Sequence, residues 1–459
     1  MVARRVLVIG LDCVPPRFAF ERFAAVMPHL SGLRARGTYG AMLSSIPPIT
    51  VPAWTAMFSG RDPGELNLYG FQQPRPGSYG RRLVTADDVH VPRVWDMLGT
   101  AGKQVAVLFV PPSYPPRPVA GVQVSCFLTP EADSPHTYPA VLQAELRAKF
   151  GPYLMDVQDV RSADRGALMG ELERMTVQHF AIARHLWSSR KPDFMALVAI
   201  GPDRFHHAFY RDVDPDDPQH DPKSPFVGVG EQYYALLDRC IGELLAECDD
   251  DCAVLVVSDH GARPLLGGIC INEWLIDQGL LRLHHYPQQV TPFAQLDVDW
   301  SRTQVYGEGG YCGRIRINVE GREPAGIVAR DQVPALCARV RRDLLGISAA
   351  DGRSLVHRVL GPDCYRVVGA NAPELQVFFG DLSYRAIASV GHRDWHIASD
   401  DRGADSCNHD WQGIFALAGA GVTPRGQISG CTLYDVTRTV MGLMGVAAPA
   451  ELLGRDQRQ

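Results

Sequence analysis

Short apolar runs recur along the chain, and each ends at a polar, glycine or proline-rich turn. The runs are Val6–Leu11, Val105–Val110, Phe194–Ile200, Ala253–Val257 and Ile414–Ala418. Continuous apolar runs of this length are typical of strands that are buried on both faces of a parallel sheet. Helical periodicity lies between them, for example at 236–244 and 433–443. Alternating strands and helices predict an α/β fold with a mostly parallel central sheet and helices on both faces.

The pattern changes between residues 282 and 393. Short strands with polar interruptions, such as Arg314–Asn318 and Leu375–Phe379, follow a glycine-rich turn at 307–310 and are separated by charged helices. We therefore predict a smaller α+β cap or insertion domain at 282–393, and a metal-binding catalytic core formed by residues 1–281 and 394–459. A second insertion, at about 111–191, combines a proline-rich loop with a helix around 168–187.

Composition argues against several kinds of partner. The 459 residues carry a net charge of -6, with no run of Lys or Arg, so we predict no nucleic acid partner. The N-terminal run MVARRVLVIGLD is too short for a signal sequence, and no apolar stretch is long enough to span a bilayer. Eleven cysteines lie singly along the chain without a CxxC pair, which fits a reducing compartment. We predict a cytoplasmic protein without a membrane partner. The sequence does not indicate its oligomeric state.

The stretch Ser44–Gly60 places a single hydroxyl between a proline-rich extended run and a predicted helix. Pro52 is tolerated only near the start of a helix, so Thr50 should lie at or just before its N-terminus. The unpaired N–H groups and the helix dipole favour an anion there, so the position suits a phosphate and a hydroxyl that attacks it. A threonine at this position also commonly caps a helix, so the functional interpretation depends on the rest of the chain.

Acids and histidines stand where the predicted strands end. They are Asp12, Asp203 and His207 on the turn after the third run, Asp259 and His260 after the fourth, and His409 shortly before the last. In open α/β sheets, ligands bind at the carboxyl ends of the strands. Carboxylate oxygens and neutral imidazole nitrogens are ligands of zinc and related divalent ions. Two such ions would stabilise both oxygens of an in-line phosphoryl displacement, which predicts a two-metal phosphoryl-transfer site.

The chain resembles the alkaline phosphatase superfamily, specifically its type I phosphodiesterase/nucleotide pyrophosphatase-like branch and the bacterial predicted phosphohydrolase/phosphomutase group. The motifs that carry the resemblance cover nearly the full length: VIGLD, PPITVPAWTAMFSGRDPG, GPDRFHHAFY, VVSDHGA, INEWLIDQGLL, GRIRINVEGREPAGIV and NHDWQGIFALAGAGV. The resemblance implies one metal held by Asp203, His207 and His409. It implies a second metal held by Asp12, Asp259, His260 and Thr50, and a phosphothreonine at Thr50 that a metal-activated water hydrolyses.

The chain departs from this family pattern after the nucleophile. Nucleotide pyrophosphatases carry an Asn that helps to hold a phosphoryl oxygen, whereas Ala53 stands here. Arg263, Arg204 or Arg61 are candidates to replace that contact, and each is equally well explained as a solvated surface charge. The preference for a monoester, diester or pyrophosphate is therefore left open.

Two further patterns are alternatives to this site. Cys13 to Arg17 fits the C-x-P-x-R pattern of sulfatases, but Cys13 adjoins Asp12 instead of opening the later helix, so we interpret it as a small buried residue. His206 would be a ligand if the register shifted by one, although the D-x-x-x-H spacing favours His207.

These observations predict a metal-dependent phosphoric ester hydrolase that acts on a small phosphate ester or nucleotide-type substrate. Its cofactors are two divalent ions, with zinc the first choice and manganese, magnesium or iron open. The alternatives are a phosphomutase with the same nucleophile and metals, and a catalytically silent binding protein.

Overall fold

The chain divides into two compact units, and each is described by itself. The computed structural model describes residues 3–349 and 352–459, so Met1 and Val2 of the N-terminal run lie outside the described residues. The first unit comprises the chain up to Leu66, Val84–Ala262 and His409–Gln459. The second comprises Asn67–Leu83 and Arg263–Asn408, and the whole of the predicted cap segment 282–393 falls within its bounds.

The described residues form the following α-helices and strands. The helices are α1 (Pro28–Ala35), α2 (Thr50–Ser59), α3 (Pro63–Leu66), α4 (Val94–Thr100), α5 (Val141–Phe150), α6 (Arg165–Arg190), α7 (Gly201–Val213), α8 (Val229–Leu245), α9 (Ile271–Asp277), α10 (Val333–Leu345) and α11 (Asp435–Leu443). The strands are β1 (Arg5–Leu11), β2 (Thr38–Leu43), β3 (Gln72–Pro74), β4 (Arg81–Leu83), β5 (Val105–Leu108), β6 (Gly121–Val124), β7 (Thr137–Tyr138), β8 (Phe194–Ala199), β9 (Cys252–Val257), β10 (Gly261–Pro264), β11 (Gly268–Cys270), β12 (Val305–Glu308), β13 (Gly313–Ile317), β14 (Val356–Leu360), β15 (Leu375–Phe379), β16 (Arg385–Ile387), β17 (His396–Ile397), β18 (Cys407–Asp410), β19 (Gln412–Gly419), β20 (Gly426–Gln427) and β21 (Cys431–Thr432).

The first unit is built on one large sheet in the order β20-β2-β19-β9-β1-β8-β5-β6-β7, with β21 beside β2. Strands β9, β1, β8, β5 and β6 are parallel to one another. Every residue of β8 and β9 is buried, as are six of the seven residues of β1. Apolar side chains on both faces explain these uninterrupted runs, because helices cover the sheet on both sides. The predicted α/β fold is confirmed.

One of the predicted strands runs against its neighbours. Strand β19 is antiparallel to both β9 and β2, so it begins at the edge of the sheet where β1, β8 and β9 end. Strand β2 ends at that same edge, and Ser44 just beyond it donates its N–H to the Trp411 carbonyl at 2.8 Å. The antiparallel direction of β19 therefore brings the segment before it and the segment after β2 to one place.

Helix α2 is buried along its whole length and packs closely on β1. It begins at Thr50 and has Pro52 in its first turn, as predicted. Proline is tolerated there because the N–H groups of the first turn have no intrahelical acceptor, so the N–H that proline lacks costs no hydrogen bond. A Cβ atom on Gly10 of β1 would lie 2.5 Å from the Trp54 ring, so only glycine permits this approach. The contact fixes α2, and with it Thr50, against the central strand.

The second unit has a four-stranded antiparallel sheet in the order β12-β13-β15-β14, and a smaller sheet of β16, β11 and β17. The predicted strands at 314–318 and 375–379 are confirmed by β13 and β15. The predicted turn at 307–310 is wrong at its first two residues, which belong to β12 because Glu308 pairs with Arg314 across the ladder. In the first unit, the segment 111–191 contains β6, β7 and α5 in addition to the predicted helix, α6.

Glu308 is the centre of a buried charge cluster in the second unit. Its carboxylate contacts Arg81, and lies 3.2 Å from both Arg314 Nε and Arg316 Nε. Burial would raise the pKa of Glu308, but the three guanidinium groups lower it below its usual value. The carboxylate is therefore ionised, and it ties β4 to the four-stranded sheet.

We expect Glu308→Gln to lower the free energy of unfolding of the second unit by about 3 kcal/mol, because it leaves three buried cations without their counter-charge. Urea unfolding followed by tryptophan fluorescence measures this change. Glu320→Gln is the control, since Glu320 is exposed. Equal free energies of unfolding for the two variants would contradict the role of Glu308 as the counter-charge of the three arginines.

Candidate active site

Three acids follow parallel strands at one edge of the large sheet. Asp12 directly follows β1, Asp259 lies two residues beyond the end of β9, and Asp203 lies four residues beyond the end of β8. The prediction that Asp203 and His207 lie on a turn is wrong, because Gly201 and Pro202 begin α7 directly after β8. Their spacing of four places both side chains on one face of that helix.

Asp203, His207 and His409 form the first group of candidate metal ligands. Asp203 Oδ1 lies 3.4 Å from His207 Nε2 and 3.6 Å from His409 Nε2. The ring of His409 is fixed by a 2.8 Å contact between its Nδ1 and the Pro48 carbonyl. When Nδ1 carries the proton and donates to this carbonyl, Nε2 presents its lone pair to the cluster.

Asp12, Asp259, His260 and Thr50 form the second group. His260 Nε2 lies 3.5 Å from Asp12 Oδ1 and 3.2 Å from Asp259 Oδ2. Thr50 Oγ1 lies 3.3 Å from the same nitrogen. The residue that caps α2 is Ile49, and the cap makes no side-chain hydrogen bond among the described residues. Thr50 is thus the first residue of the helix, and its hydroxyl faces the histidine.

The two groups form one continuous cluster. The rings of His260 and His409 stack with their centroids 3.7 Å apart. Ligand atoms of Asp12, Asp203 and His260 lie within 4.8 Å of one another, as do those of Asp203, His207 and His409. Asp203 belongs to both sets, and all the members are buried.

The electrostatics of this cluster suit cations. Burial lowers the pKa of His409 to about 4, although Asp203 opposes the shift, so the imidazole is neutral at physiological pH. Burial and the charge of Asp12 raise the pKa of Asp259 well above its usual value. Neither Asp12 Oδ1 nor Asp259 Oδ2 accepts a hydrogen bond from any described residue. Buried acceptors without donors are costly, and divalent ions would satisfy them, so these residues fit a metal centre.

The three predicted substrate arginines have other partners. Arg204 contacts Asp156 and Asp203. Arg61 follows the C-terminal end of α2, about 15 Å from Thr50 along a ten-residue helix, and pairs with Glu65 and Glu451. Arg263 belongs to the second unit, where its Nη1 lies 3.3 Å from Asp381 Oδ2.

The alternative ligand, His206, and the sulfatase-like Cys13 each contact other parts of the fold, and Cys13 Sγ donates to the Gly261 carbonyl at 3.4 Å. His206 lies 3.0 Å from the Tyr234 hydroxyl in an aromatic cluster, where burial lowers its pKa to about 3. Cys13 is fully buried, as predicted, and its backbone N–H donates to Asp259 Oδ1 at 3.3 Å. Its φ of 64° turns the chain sharply after Asp12.

Sequence reasoning missed the contact that Trp54 makes. Its indole Nε1 donates to Asp12 Oδ2 at 2.7 Å, and both side chains are fully buried. The sequence holds a partial signal for this position, because Trp54 lies four residues after Thr50 and so shares its face of α2.

Among residues 3–349 and 352–459, no helix combines the length and the apolar character needed to cross a membrane.

Comparisons with known proteins give a family match. The family model for type I phosphodiesterase/nucleotide pyrophosphatase matches residues 6–412. None of the curated protein sequences that were compared matches the chain.

Solved structures share the fold over nearly the whole chain. Phosphonoacetate hydrolase from Sinorhizobium meliloti 1021, in complex with phosphonoacetate, has 16% identity and a TM-score of 0.63 over 97% of this chain and 96% of that one. Human ectonucleotide pyrophosphatase/phosphodiesterase 5 has 11% identity and a TM-score of 0.55 over 97% and 96%. An inactive murine form of the latter, in complex with AMP, has 12% identity and a TM-score of 0.56 over 99% and 97%.

The family match covers most of the chain and includes every acid and histidine of the cluster. The chain therefore belongs to the type I phosphodiesterase/nucleotide pyrophosphatase family of the alkaline phosphatase superfamily, and it is a hydrolase of phosphoric esters.

Proposed function

We propose that this hydrolase uses Thr50 as its nucleophile and two divalent ions as cofactors. The observation that carries the proposal is the position of the Thr50 hydroxyl, 3.3 Å from His260 Nε2 at the start of a buried helix. A hydroxyl there adjoins a cluster of carboxylates and neutral imidazoles, and the first turn of α2 favours an anionic phosphoryl group.

In the proposed reaction, Thr50 Oγ1 forms a bond to phosphorus while the bond from phosphorus to the leaving oxygen breaks. The threonine proton is lost as this bond forms, and the leaving alcohol or phosphate takes up a proton. Water then attacks the phosphothreonine, which releases phosphate or a phosphate monoester and restores the hydroxyl. The inactive murine relative carries an alanine in place of a threonine, so a threonine is required in that protein.

Asp203, His207 and His409 would hold one ion, and Asp12, Asp259, His260 and Thr50 the other. When bound, the ions lower the pKa of the attacking hydroxyl and neutralise charge on the attacking and leaving oxygens. The mixture of carboxylate and imidazole donors favours zinc, and also suits manganese, magnesium or iron.

Removal of the metals should abolish activity. We expect dialysis against a chelator to reduce hydrolysis of p-nitrophenyl phosphate esters to background, and zinc to restore it. Elemental analysis should then find two ions per active chain. Full activity with less than one ion per chain would contradict the two-metal proposal.

We further propose a small phosphate ester or nucleotide-type substrate and a cytoplasmic location. Relatives bind phosphonoacetate and AMP. Ala53 lacks a side-chain donor for a phosphoryl oxygen, so the preferred ester can differ from theirs. Rates on p-nitrophenyl phosphate, bis-p-nitrophenyl phosphate and a nucleotide sugar separate monoesterase, diesterase and pyrophosphatase activities. Conversion of a sugar phosphate to its isomer without release of phosphate would instead identify a mutase.

A further inference from the structure

Arg204 joins two carboxylates through all three of its guanidinium nitrogens. Its Nε and Nη2 donate to Asp156 Oδ1 and Oδ2 at 2.9 and 2.7 Å, and its Nη1 donates to Asp203 Oδ2 at 2.7 Å. The Arg204 side chain is 15% exposed and that of Asp156 is 24% exposed. Bidentate pairs of this kind fix orientation as well as supplying charge, so the guanidinium is held in one position.

The bond from Arg204 fixes the orientation of the Asp203 carboxylate, so that one oxygen faces the histidines. Oδ2 is engaged by Arg204, while Oδ1 lies 3.4 Å from His207 Nε2 and 3.6 Å from His409 Nε2. Rotation of the carboxylate would break the Arg204 bond. Arg204 therefore holds Oδ1 at the point where the two imidazole nitrogens converge.

Asp12 is held in the same way by a different donor. Its Oδ2 accepts from Trp54 Nε1 at 2.7 Å, and its Oδ1 lies 3.5 Å from His260 Nε2. In each group one carboxylate oxygen is anchored by a side-chain N–H and the other is presented to histidine. The chemistry of the anchor differs, since Arg204 brings a positive charge and Trp54 does not.

We infer that Arg204, fixed by Asp156, is the positioning residue for the metal centre of Asp203, His207 and His409, and that Trp54 serves Asp12 in the other centre. This inference rests on the proposed two-metal function. It assigns Arg204 to a metal ligand instead of the substrate, and it makes each anchor act mainly on one of the two ions. Removal of an outer partner of a metal ligand typically lowers metal affinity about tenfold to a hundredfold.

Zinc titration of the metal-free full chain by calorimetry, with variants of each anchor, tests this assignment. We expect Arg204→Met to weaken one of the two binding events by about tenfold or more and to leave the other within about twofold. Trp54→Phe should weaken the other event instead. Arg204→Lys retains the charge but not the fork, so it should recover only part of the affinity.

Arg165→Met is the matched control. Arg165 pairs with Asp212 of α7 and donates to the Ala208 carbonyl at 2.9 Å, but it contacts none of the proposed ligands. It should lower the melting temperature without changing either zinc affinity.

The possible failures are distinguishable. Wild-type affinities in Arg204→Met, or equal weakening of both events in that variant, would overturn this inference alone. Wild-type protein that binds none of zinc, manganese, magnesium or iron would overturn the two-metal proposal, and this inference with it.

Discussion

Thr50→Ala is expected to reduce kcat on every hydrolysed phosphate ester by about a thousandfold or more, because it removes the attacking oxygen and a group acting as a unit with the metal ligands. The side chain is 1% exposed, and the methyl group of alanine fits the space that it leaves. The melting temperature of the metal-free variant should therefore stay close to that of the metal-free wild type. Steady-state kinetics with p-nitrophenyl esters measure the loss.

A second threonine of the same helix provides the control. Thr55 is also buried, and its hydroxyl donates to the Val51 carbonyl at 2.7 Å. Thr55→Ala should keep activity within a few fold of the wild type while lowering stability by about 1 kcal/mol. Thr50→Ser keeps a hydroxyl and should retain measurable turnover.

The covalent step has its own measurement. Acid quenching of wild-type enzyme during turnover of a phosphorus-labelled substrate should leave label on the peptide that contains residues 44–60, and Thr50→Ala should leave none. Turnover by Thr50→Ala within tenfold of the wild-type rate would refute the nucleophile assignment, whatever the labelling showed.

Apolar runs predicted the large sheet well, because a strand buried on both faces must be apolar throughout. The direction of such a strand is not encoded in that pattern. Residues 414–418 are equally apolar in either direction, so the antiparallel course of β19 became visible only in the fold. Yet this direction places His409 beside Asp203. The local sequence singled out His409 as a candidate ligand, and the long-range pairing of β19 with β9 explains its position.

The partners of polar side chains were harder to predict than the candidate ligands themselves. The acids and histidines stand out in the sequence because each follows or precedes an apolar run. Asp156 does not adjoin any of the predicted apolar runs, and it lies 48 residues before Arg204. The sequence alone could not distinguish an arginine awaiting a phosphate from one held between two carboxylates. Trp54 shares the Thr50 face of α2 by its spacing, but only the fold brings Asp12 against its indole.

The crowding of buried acids that suits metal ions should destabilise the fold when the ions are removed. Asp12, Asp203 and Asp259 are each at most 1% exposed, and Asp259 Oδ2 accepts no hydrogen bond from any described residue. Burial and the charges of Asp12 and Asp203 raise the pKa of Asp259, despite backbone hydrogen bonds that lower it. The folded metal-free chain thus binds a proton at Asp259 more tightly than the unfolded chain does. The stabilisation that this proton gives is fully present below the pKa that Asp259 has in the unfolded chain. It is lost as the pH rises through the higher pKa that Asp259 has in the folded chain.

We therefore expect Asp259→Asn to stabilise the metal-free chain at pH 7 while abolishing its activity. The variant removes a buried charge, and its amide can donate to His260 Nε2, which lies 3.2 Å from the present oxygen. Each pKa unit of the Asp259 shift corresponds to about 1.4 kcal/mol, so melting temperatures of the two metal-free proteins should diverge toward neutral pH and converge below about pH 4.

The order of stability should reverse when zinc is added. An ion at a hundred times its dissociation constant contributes about 2.7 kcal/mol to the wild type, and the variant, which lacks one ligand, should gain less. Asp435→Asn is the contrasting control, because both oxygens of the buried Asp435 accept hydrogen bonds, from the Arg455 N–H at 2.9 Å and from Gln457 Nε2 at 2.7 Å. That variant should be less stable with or without zinc. If metal-free Asp259→Asn melted below the metal-free wild type at pH 7, the buried carboxylates would not be repelling one another, and the electrostatic case for a cation between them would fail.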